Sequence, residues 1–120
     1  MQRDTRAYLW DAREAADAIL RFTQDHTRQE FEENLLLRSA VERQFQIIGE
    51  ALGQAYRHDP KVAERIPDLA RIVAFRNILV HGYAVIDNER VWRIVQESLP
   101  QLRSVLDLLL REAPPPDEPP

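Results

Sequence analysis

The sequence predicts an all-α protein, an up-and-down helical bundle of about five helices. Apolar residues recur at three- and four-residue intervals through most of the chain, which is the spacing of a helix with one buried face. Neither strand-like alternation nor an internal repeat is found in the sequence. With 120 residues, 44% of them hydrophobic, the chain is long enough for one compact domain. We expect that domain to span residues 1–112.

The first half of the chain carries two predicted helical segments. The first covers residues 4–23, where small and large apolar side chains share one face. Thr27 and Glu30 then fit a capping box, in which the hydroxyl and the carboxylate satisfy free backbone amides at a helix start. An apolar stripe continues from this cap to about residue 57, and the pattern allows a brief break at Asn34. This long helix is expected to form the centre of the core.

Gly49 and Gly53 lie one turn apart inside the predicted long helix. In a helix interior, glycine costs up to about 1 kcal/mol relative to alanine, so the pair needs a reason. Close approach of another helix is the favoured reason, by analogy with small-residue contacts between helices. A functional reason is the alternative.

Prolines and one polar cap divide the second half of the chain. Pro60 and Pro67 each suit a first helical turn, so a helix is predicted to start near each of them. A final helix is predicted after Asp87 or Asn88, either of which can cap it. Pro100 should kink this helix rather than end it, because the apolar stripe resumes with the same phase.

The composition excludes several classes of protein. The chain has no cysteine, which excludes disulfide scaffolds and thiolate metal sites. Its formal net charge of −4 argues against a protein whose whole surface grips nucleic acid, so any such site must be local. No apolar stretch has the length of a signal-peptide core or a membrane span, and a cytoplasmic location is expected. The proline-rich residues 113–120 are expected to be a disordered tail.

Residues 76–83 gather the side chains best suited to chemistry, at the end of a predicted helix. Arg76 can hold a phosphate, His81 can move a proton near neutral pH, and Tyr83 offers a hydroxyl. At about 100° per residue, Arg76 and Tyr83 share a helix face, while His81 lies roughly 140° from Arg76. The three can converge only if the helix ends or bends near Gly82, and glycine after a periodic segment is the usual stop signal.

Phosphate chemistry gives each of these residues a role. Arg76 neutralises a phosphate oxygen and the charge that grows in a transition state, and His81 acts as general acid or base. Asn77 supports them by orienting the phosphate or by holding one histidine tautomer, and Tyr83 either hydrogen-bonds the phosphate or accepts a transferred group. On spacing alone the structural alternative is favoured, since a histidine near a helix end is usually a structural residue.

The motif and its neighbours resemble a known family. Arg76 to Tyr83 is similar to the R-x4-H-x-Y signature of the HepT branch of the HEPN superfamily. Residues 43–51, Arg-Gln-Phe-Gln-Ile-Ile-Gly-Glu-Ala, resemble the helix that this family places ahead of the signature. Residues 87–102, with Val-Trp-Arg-Ile-Val and Leu-Pro-Gln-Leu, resemble its last helix. The resemblance covers most of residues 4–110.

The resemblance implies the toxin of a toxin–antitoxin system, a homodimer whose two motifs face each other in a composite ribonuclease site. It implies a metal-independent RNA endonuclease in which the RNA 2′-hydroxyl attacks the adjacent phosphate, with Arg76 and His81 catalytic. The implied partner is an MntA-like minimal nucleotidyltransferase antitoxin, which transfers AMP from ATP to Tyr83. AMP at Tyr83 adds bulk and negative charge beside the phosphate-binding groups, a physically sensible way to block RNA.

The residues add expectations about ions at this site. The three histidines, His26, His58 and His81, lack metal-binding spacing, so no metal site and no cofactor are expected. Dimerisation would bring two copies of Arg76 together and make a local positive patch on an acidic protein.

Four more charged residues have two interpretations each. Arg43, Arg71 and Arg90 are candidates to widen the positive patch and bind RNA, and an equally weighted alternative is that they are ordinary exposed residues on helix faces. Glu50 can pair with a motif residue across the bundle, although a solvated carboxylate is the more common outcome.

Two other functions fit the sequence. In the first, the chain is a non-catalytic subunit that binds substrate or nucleotide for a nucleotidyltransferase partner, which the net charge of −4 favours. In the second, it is a helical oligomerisation module with a vestigial motif. The second ranks last because Arg76, Asn77, His81 and Tyr83 are all present, whereas a decayed site should have lost some of them.

Overall fold

The computed structural model describes residues 3–82 and 85–112, and within them all regular secondary structure is helical. The predicted all-α bundle is therefore confirmed. The helices are α1 (Arg3–Thr23), α2 (Arg28–Glu33), α3 (Leu35–His58), α4 (Pro60–Ala63), α5 (Leu69–His81), α6 (Asn88–Arg93) and α7 (Leu99–Glu112). A π-helical segment (Ile94–Ser98) joins α6 directly to α7. Residues 113–120, predicted to be disordered, lie outside the described part of the chain.

Polar caps set the boundaries of α2 and α3. The Thr27 hydroxyl accepts a hydrogen bond from the Glu30 N–H at 3.1 Å, and the Glu30 carboxylate accepts one from the Thr27 N–H at 3.4 Å, which confirms the capping box. Asn34 then ends α2 and caps α3, accepting from the Leu37 N–H at 3.0 Å. The predicted break at Asn34 is therefore present, and the second predicted segment is two helices.

Both predicted proline-linked helix starts are confirmed. α4 begins at Pro60, and Asp59 caps it by accepting from the Val62 N–H at 3.3 Å. α5 begins at Leu69, directly after Asp68, whose φ of 58° places it in the left-handed region. Aspartate tolerates this conformation better than most residues, so it can serve as the turn into α5.

The final helix continues through Pro100, as predicted, and widens just before it. Asp87 caps α6 by accepting from two backbone N–H groups of its first turn. In the π-helical segment the Leu99 N–H bonds to the Ile94 carbonyl, five residues earlier. A proline lacks an N–H and crowds the carbonyl four residues before it, and the wider π turn accommodates both effects.

The longer helices follow the spatial order α7, α1, α3, α5. α1 packs against α3 and α7, and α3 also packs against α5. Side chains completely shielded from solvent form the core between α1, α3 and α7, and include Leu9, Ile19, Val41, Ile48, Leu52, Leu106 and Leu109. α3 is thus central, as its apolar stripe predicted, and α5 lies at one edge of the order.

Ion pairs add to the packing between α1 and α7. Arg13 Nε donates to Asp107 Oδ1 at 2.8 Å, and Arg103 Nη1 donates to Asp107 Oδ2 at 3.1 Å. Arg103 also pairs with Asp17. The four side chains form a network that joins the two helices at a partly buried position.

None of the helices in the described chain combines the length and the apolar character needed to cross a lipid bilayer.

Candidate active site

The helix that carries the motif ends where the sequence predicts. Gly82 follows α5 in the left-handed conformation, with φ 65° and ψ 21°, and its N–H donates to the Ile78 carbonyl at 3.0 Å. A residue without a Cβ adopts this conformation at little cost, which explains the glycine. Because His81 is the last residue of α5, this helix end does not change the angle between Arg76 and His81. Tyr83 lies outside the described residues.

α5 has two different faces. The inner face packs on α3 and contains Ile72, Arg76 and Leu79, all partly or fully buried. The opposite side, which we call the outer face of α5, consists of exposed residues within an arc of roughly 100°: Ala70, Ala74, Asn77, Ile78 and His81. The stem of Arg76 and the ring of His81 therefore start from opposite sides of one regular helix.

Asn77 brings the tip of Arg76 back towards the outer face. The Arg76 Nη1 donates to the Asn77 Oδ1 at 3.1 Å, at the exposed surface. Asn77 belongs to the outer face, as does His81, so the guanidinium spans the two faces. Asn77 thus positions the tip of Arg76, and its predicted roles towards a phosphate and towards the tautomer of His81 stay predictions.

The stem of Arg76 lies against the backbone of α3. A Cβ built at Gly49 would lie only 2.2 Å from the Arg76 Cβ and 2.8 Å from its Cγ. The Arg76 Nε is buried and has no hydrogen-bond partner among the described residues. The predicted close approach at Gly49 is confirmed, whereas at Gly53 an added Cβ would meet nothing nearer than Val73 Cγ2 at 4.0 Å.

An aromatic pair supports the same contact between helices. The rings of Phe45 on α3 and Phe75 on α5 lie with centroids 5.3 Å apart and planes at 59°. A tilted arrangement of this kind adds a specific contact to the apolar burial. It fixes α5 on α3 next to the Arg76 stem.

The predicted RNA-binding arginines are all exposed, on three different helices. Arg43 lies on α3 and donates to Gln46 Oε1 at 3.4 Å, Arg71 lies on α5, and Arg90 lies on α6, which packs against α2. Their role in RNA binding stays a prediction. Glu50 is exposed and makes no ion pair with the described residues, which is the solvated outcome.

Two open grooves lie away from the motif. One, of about 740 Å³, is lined by residues of α1, the π-helical segment and α7, among them Thr23, Gln96 and Arg103. The other, of about 420 Å³, lies between α1 and α7 beside Trp10 and Leu110. Neither contains Arg76, Asn77 or His81, so the candidate site lies outside both grooves.

The other histidines have contacts of their own. His26 Nδ1 lies 3.1 Å from the Glu30 Oε2, and the ring of His58 lies 5.3 Å from that of Tyr8. Across residues 3–82 and 85–112, no three histidine or carboxylate side chains are grouped closely enough to hold a metal ion.

Comparison with known families decides the family of this chain. The model of the HepT-like ribonucleases, "Ribonuclease HepT-like", matches residues 12–109, which include the motif and the helices on both sides of it. The chain belongs to the HepT-like ribonuclease family. This confirms the resemblance that the sequence showed over most of residues 4–110.

Named relatives agree with this family. A protein of Methanocaldococcus jannaschii named "Putative RNase MJ1380" is 36% identical over 110 residues, covering 90% of this chain and 98% of the relative. A protein of Thermococcus cleftensis named "Probable ribonuclease HepT" is 31% identical over 111 residues, covering 91% of this chain and 98% of the relative. No solved structure gives a significant match. Membership of the family and the names of these relatives support ribonuclease activity.

Proposed function

We propose that this HepT-like protein is the toxin of a toxin–antitoxin system and cleaves RNA endonucleolytically without a metal ion. The observation that carries the proposal is the hydrogen bond from the Arg76 guanidinium to Asn77, which shares an exposed helix face with His81, in a chain of a ribonuclease family. An exposed helix face suits a long, charged polymer better than an enclosed cavity would.

In the proposed reaction, His81 takes the proton of a ribose 2′-hydroxyl as general base. The 2′-oxygen attacks the adjacent phosphorus, the bond from phosphorus to the 5′-oxygen breaks, and the leaving oxygen takes a proton from a general acid. The products are a 2′,3′-cyclic phosphate and a 5′-hydroxyl. Arg76 offsets the negative charge that grows on the phosphate oxygens in the transition state.

A second copy of the chain is the proposed occupant of the outer face of α5. Ala70 and Ala74 are small enough for another helix to approach closely, and Ile78 is an apolar side chain left 45% exposed. Asn77 and His81 share this face, so a twofold pairing would place two motifs opposite each other. One His81 would then serve as the base and the other as the acid, which a single chain cannot provide.

Pairing of two chains would also reconcile RNA binding with the negative net charge of the protein. The formal net charge is −4, which opposes RNA binding by the whole surface. Two copies of Arg76 on one composite site would make the local positive field that a phosphate needs. We propose that Arg43, Arg71 and Arg90 extend this field.

The proposed partner is a minimal nucleotidyltransferase antitoxin that silences the site through Tyr83. The Tyr83 hydroxyl oxygen attacks the α-phosphorus of ATP, pyrophosphate leaves, and AMP remains attached to the ring. The new phosphodiester adds negative charge close to Arg76 in sequence, and its bulk would obstruct the RNA path.

Cleavage of RNA by the purified protein tests the proposed activity. In the presence of a chelator, wild type should produce 2′,3′-cyclic phosphate ends, and His81→Ala should reduce the rate by at least about 100-fold. His58→Ala is the matched control, because His58 lies at the end of α3 with its ring against that of Tyr8 on α1. Helical circular dichroism should be unchanged in both variants.

Two results would refute this activity. One is cleavage that survives His81→Ala or is lost on chelation. The other is a folded wild type that binds its partner or a nucleotide yet leaves a broad set of RNAs intact, which would favour the non-catalytic subunit.

Intact mass tests the proposed modification separately. Wild type incubated with ATP and the nucleotidyltransferase should gain the mass of at least one adenylyl group, and Tyr83→Phe should gain none. Equal gain by Tyr83→Phe, or no gain by wild type, would contradict the assignment of Tyr83.

A further inference from the structure

Gly49 occupies a position on α3 where a side chain would collide with Arg76. A Cβ there would lie 2.2 Å from the Arg76 Cβ and 2.8 Å from its Cγ, and the next nearest atom is the Ile72 carbonyl oxygen at 3.4 Å. Non-bonded carbon atoms do not approach within 3.0 Å of each other. With Arg76 in its present place, only glycine fits at position 49.

The neighbouring glycine shows that this tight contact is local to Gly49. Gly53 lies one turn further along the same helix and faces the same neighbour, yet an added Cβ would meet only Val73 Cγ2, at an ordinary 4.0 Å. α3 and α5 can therefore pack with alanine at position 53. The requirement at position 49 comes from the Cβ and Cγ of Arg76, which lie directly against the α3 backbone there.

The surroundings of Arg76 hold its stem in one place. The Nε is buried without a partner among the described residues, a situation that an arginine free to rotate would avoid by turning towards water. At the other end, Nη1 is tied to the Asn77 Oδ1 at 3.1 Å. The stem is thus fixed on the α3 backbone while the tip of the guanidinium stays at the surface.

We infer that Gly49 is a positioning residue, whose bare backbone forms the slot that holds Arg76 ready for the phosphate. This rests on the proposed function of Arg76 in RNA cleavage. A cation held in place before the reaction stabilises growing charge without reorganising, which is why its position affects the rate.

Gly49→Ala, with Gly53→Ala as its matched control, tests the slot in the full-length protein. Gly49→Ala should lower the cleavage rate by roughly 10- to 100-fold, as displacement of a catalytic group does, while Gly53→Ala stays within about twofold of wild type. In an Arg76→Gly background, which lacks both of the atoms that the new Cβ would meet, Gly49→Ala should cause no further loss. Equal rates for the two alanine variants, or an undiminished loss without Arg76, would overturn the inference.

A second measurement does not depend on ribonuclease activity. By nuclear magnetic resonance, the Arg76 Nε–H should exchange slowly with water in wild type and in Gly53→Ala, because the atom is buried. In Gly49→Ala the exchange should become fast. Unchanged protection in Gly49→Ala would contradict the slot, whereas an inactive wild type that shows the expected exchange would contradict only the proposed function.

A third variant covers the case in which Gly49→Ala does not fold. In Gly49→Ala with Arg76→Gly, the atoms at 2.2 Å and 2.8 Å are gone and the nearest remaining atom is the Ile72 oxygen at 3.4 Å. Circular dichroism should then show a folded helical protein. A double variant that remains unfolded would show that Arg76 is not the group that excludes a side chain at position 49.

Discussion

The two edge helices of the bundle, α7 and α5, differ in the surface that they leave exposed. At one edge, α7 packs on α1 through fully buried leucines and a network of ion pairs centred on Asp107. At the other edge, α5 packs on α3 through its inner face only, and the outer face of α5 exposes alanines, Ile78, Asn77 and His81. The α7 edge is thus held by buried contacts and ion pairs with α1, whereas the α5 edge leaves the candidate site residues Asn77 and His81 exposed.

This difference explains why the motif residues lie where they do. A helix that is apolar on more than one side is normally covered on more than one side. Since α5 has apolar residues on both faces, its composition suits a position between α3 and a second protein surface. The motif at its end would then lie within an interface, as the proposed pairing of two chains requires.

The largest effect is expected from charging the outer face of α5. Ala74→Glu with Ile78→Glu would place two carboxylates on each side of the proposed pairing, so the dimer should dissociate and cleavage should fall by at least about 100-fold. Light scattering after gel filtration measures the mass. Leu108→Glu on α7 is the control, because Leu108 is 47% exposed, close to the 45% of Ile78. A dimer that persists after the outer-face change, or that is lost with Leu108→Glu, would contradict the proposal that the outer face of α5 pairs with a second chain.

The next largest effect is expected at the edge where α7 packs on α1. Leu106 on α7 is fully buried, so Leu106→Ala should lower the free energy of unfolding by about 2 to 5 kcal/mol through lost burial and a cavity. Urea denaturation followed by circular dichroism measures this. Leu108→Ala, on the same helix but half exposed, should cost less than about 1 kcal/mol. Similar losses from both would mean that α7 does not pack on α1 as described.

A smaller effect is expected from the ion-pair network. Asp107→Asn removes the carboxylate shared by Arg13 and Arg103 and should cost about 1 kcal/mol, with a smaller cost at high salt. Urea denaturation at two salt concentrations measures it. The control is Glu89→Gln, whose pairs with exposed arginines at 3.5 and 3.7 Å should contribute almost nothing. An equal loss of stability from Glu89→Gln would show that the ion pairs between α1 and α7 stabilise the fold no more than exposed ion pairs do.

The smallest effect concerns a carboxyl group on α3. Burial raises the pKa of Glu42 above its ordinary value, against the opposing charge of Arg38. A raised pKa means that the folded protein favours the neutral form, so the contribution of Glu42 to stability is full at low pH and is lost as the pH rises through its pKa in the folded state.

Glu42→Gln should therefore raise the melting temperature near neutral pH, by the equivalent of less than about 1 kcal/mol because the side chain is only partly buried. The gain should disappear near pH 3, below the ordinary glutamate pKa of about 4.3. Thermal melts across this range measure it, with Glu50→Gln on the same helix as the control. A gain that is independent of pH would assign the effect to something other than the charge.

Local signals in the sequence predicted most of the helix boundaries. The capping box at Thr27 and Glu30, the break at Asn34 and the stop at Gly82 each depend on hydrogen bonds or backbone conformations within a few residues. Interactions of such short range are visible in the order of residues alone. The π-helical segment before Pro100 was not predicted in that form, because the sequence indicates a disturbed helix and not which wider turn relieves it.

The candidate site was predicted by residue type and only partly by geometry. The motif residues and the family resemblance identified Arg76 and His81, and the family match supports the resemblance. The helix end at Gly82 was expected to bring the reactive groups together, but α5 remains regular through His81, so the angle between Arg76 and His81 is unchanged. What draws the Arg76 tip to the outer face is its hydrogen bond to Asn77.

The sequence by itself determined the helical class, the caps, the end of α5 and the identity of the chemically capable residues, because periodicity and capping act over one or two turns. Only the tertiary structure decided that Gly49 lies against the Arg76 stem and that α5 leaves His81 on an uncovered face. Gly49 and Arg76 are 27 positions apart in the chain, and side-chain packing across helices, not local preference, determines which of two glycines meets an arginine.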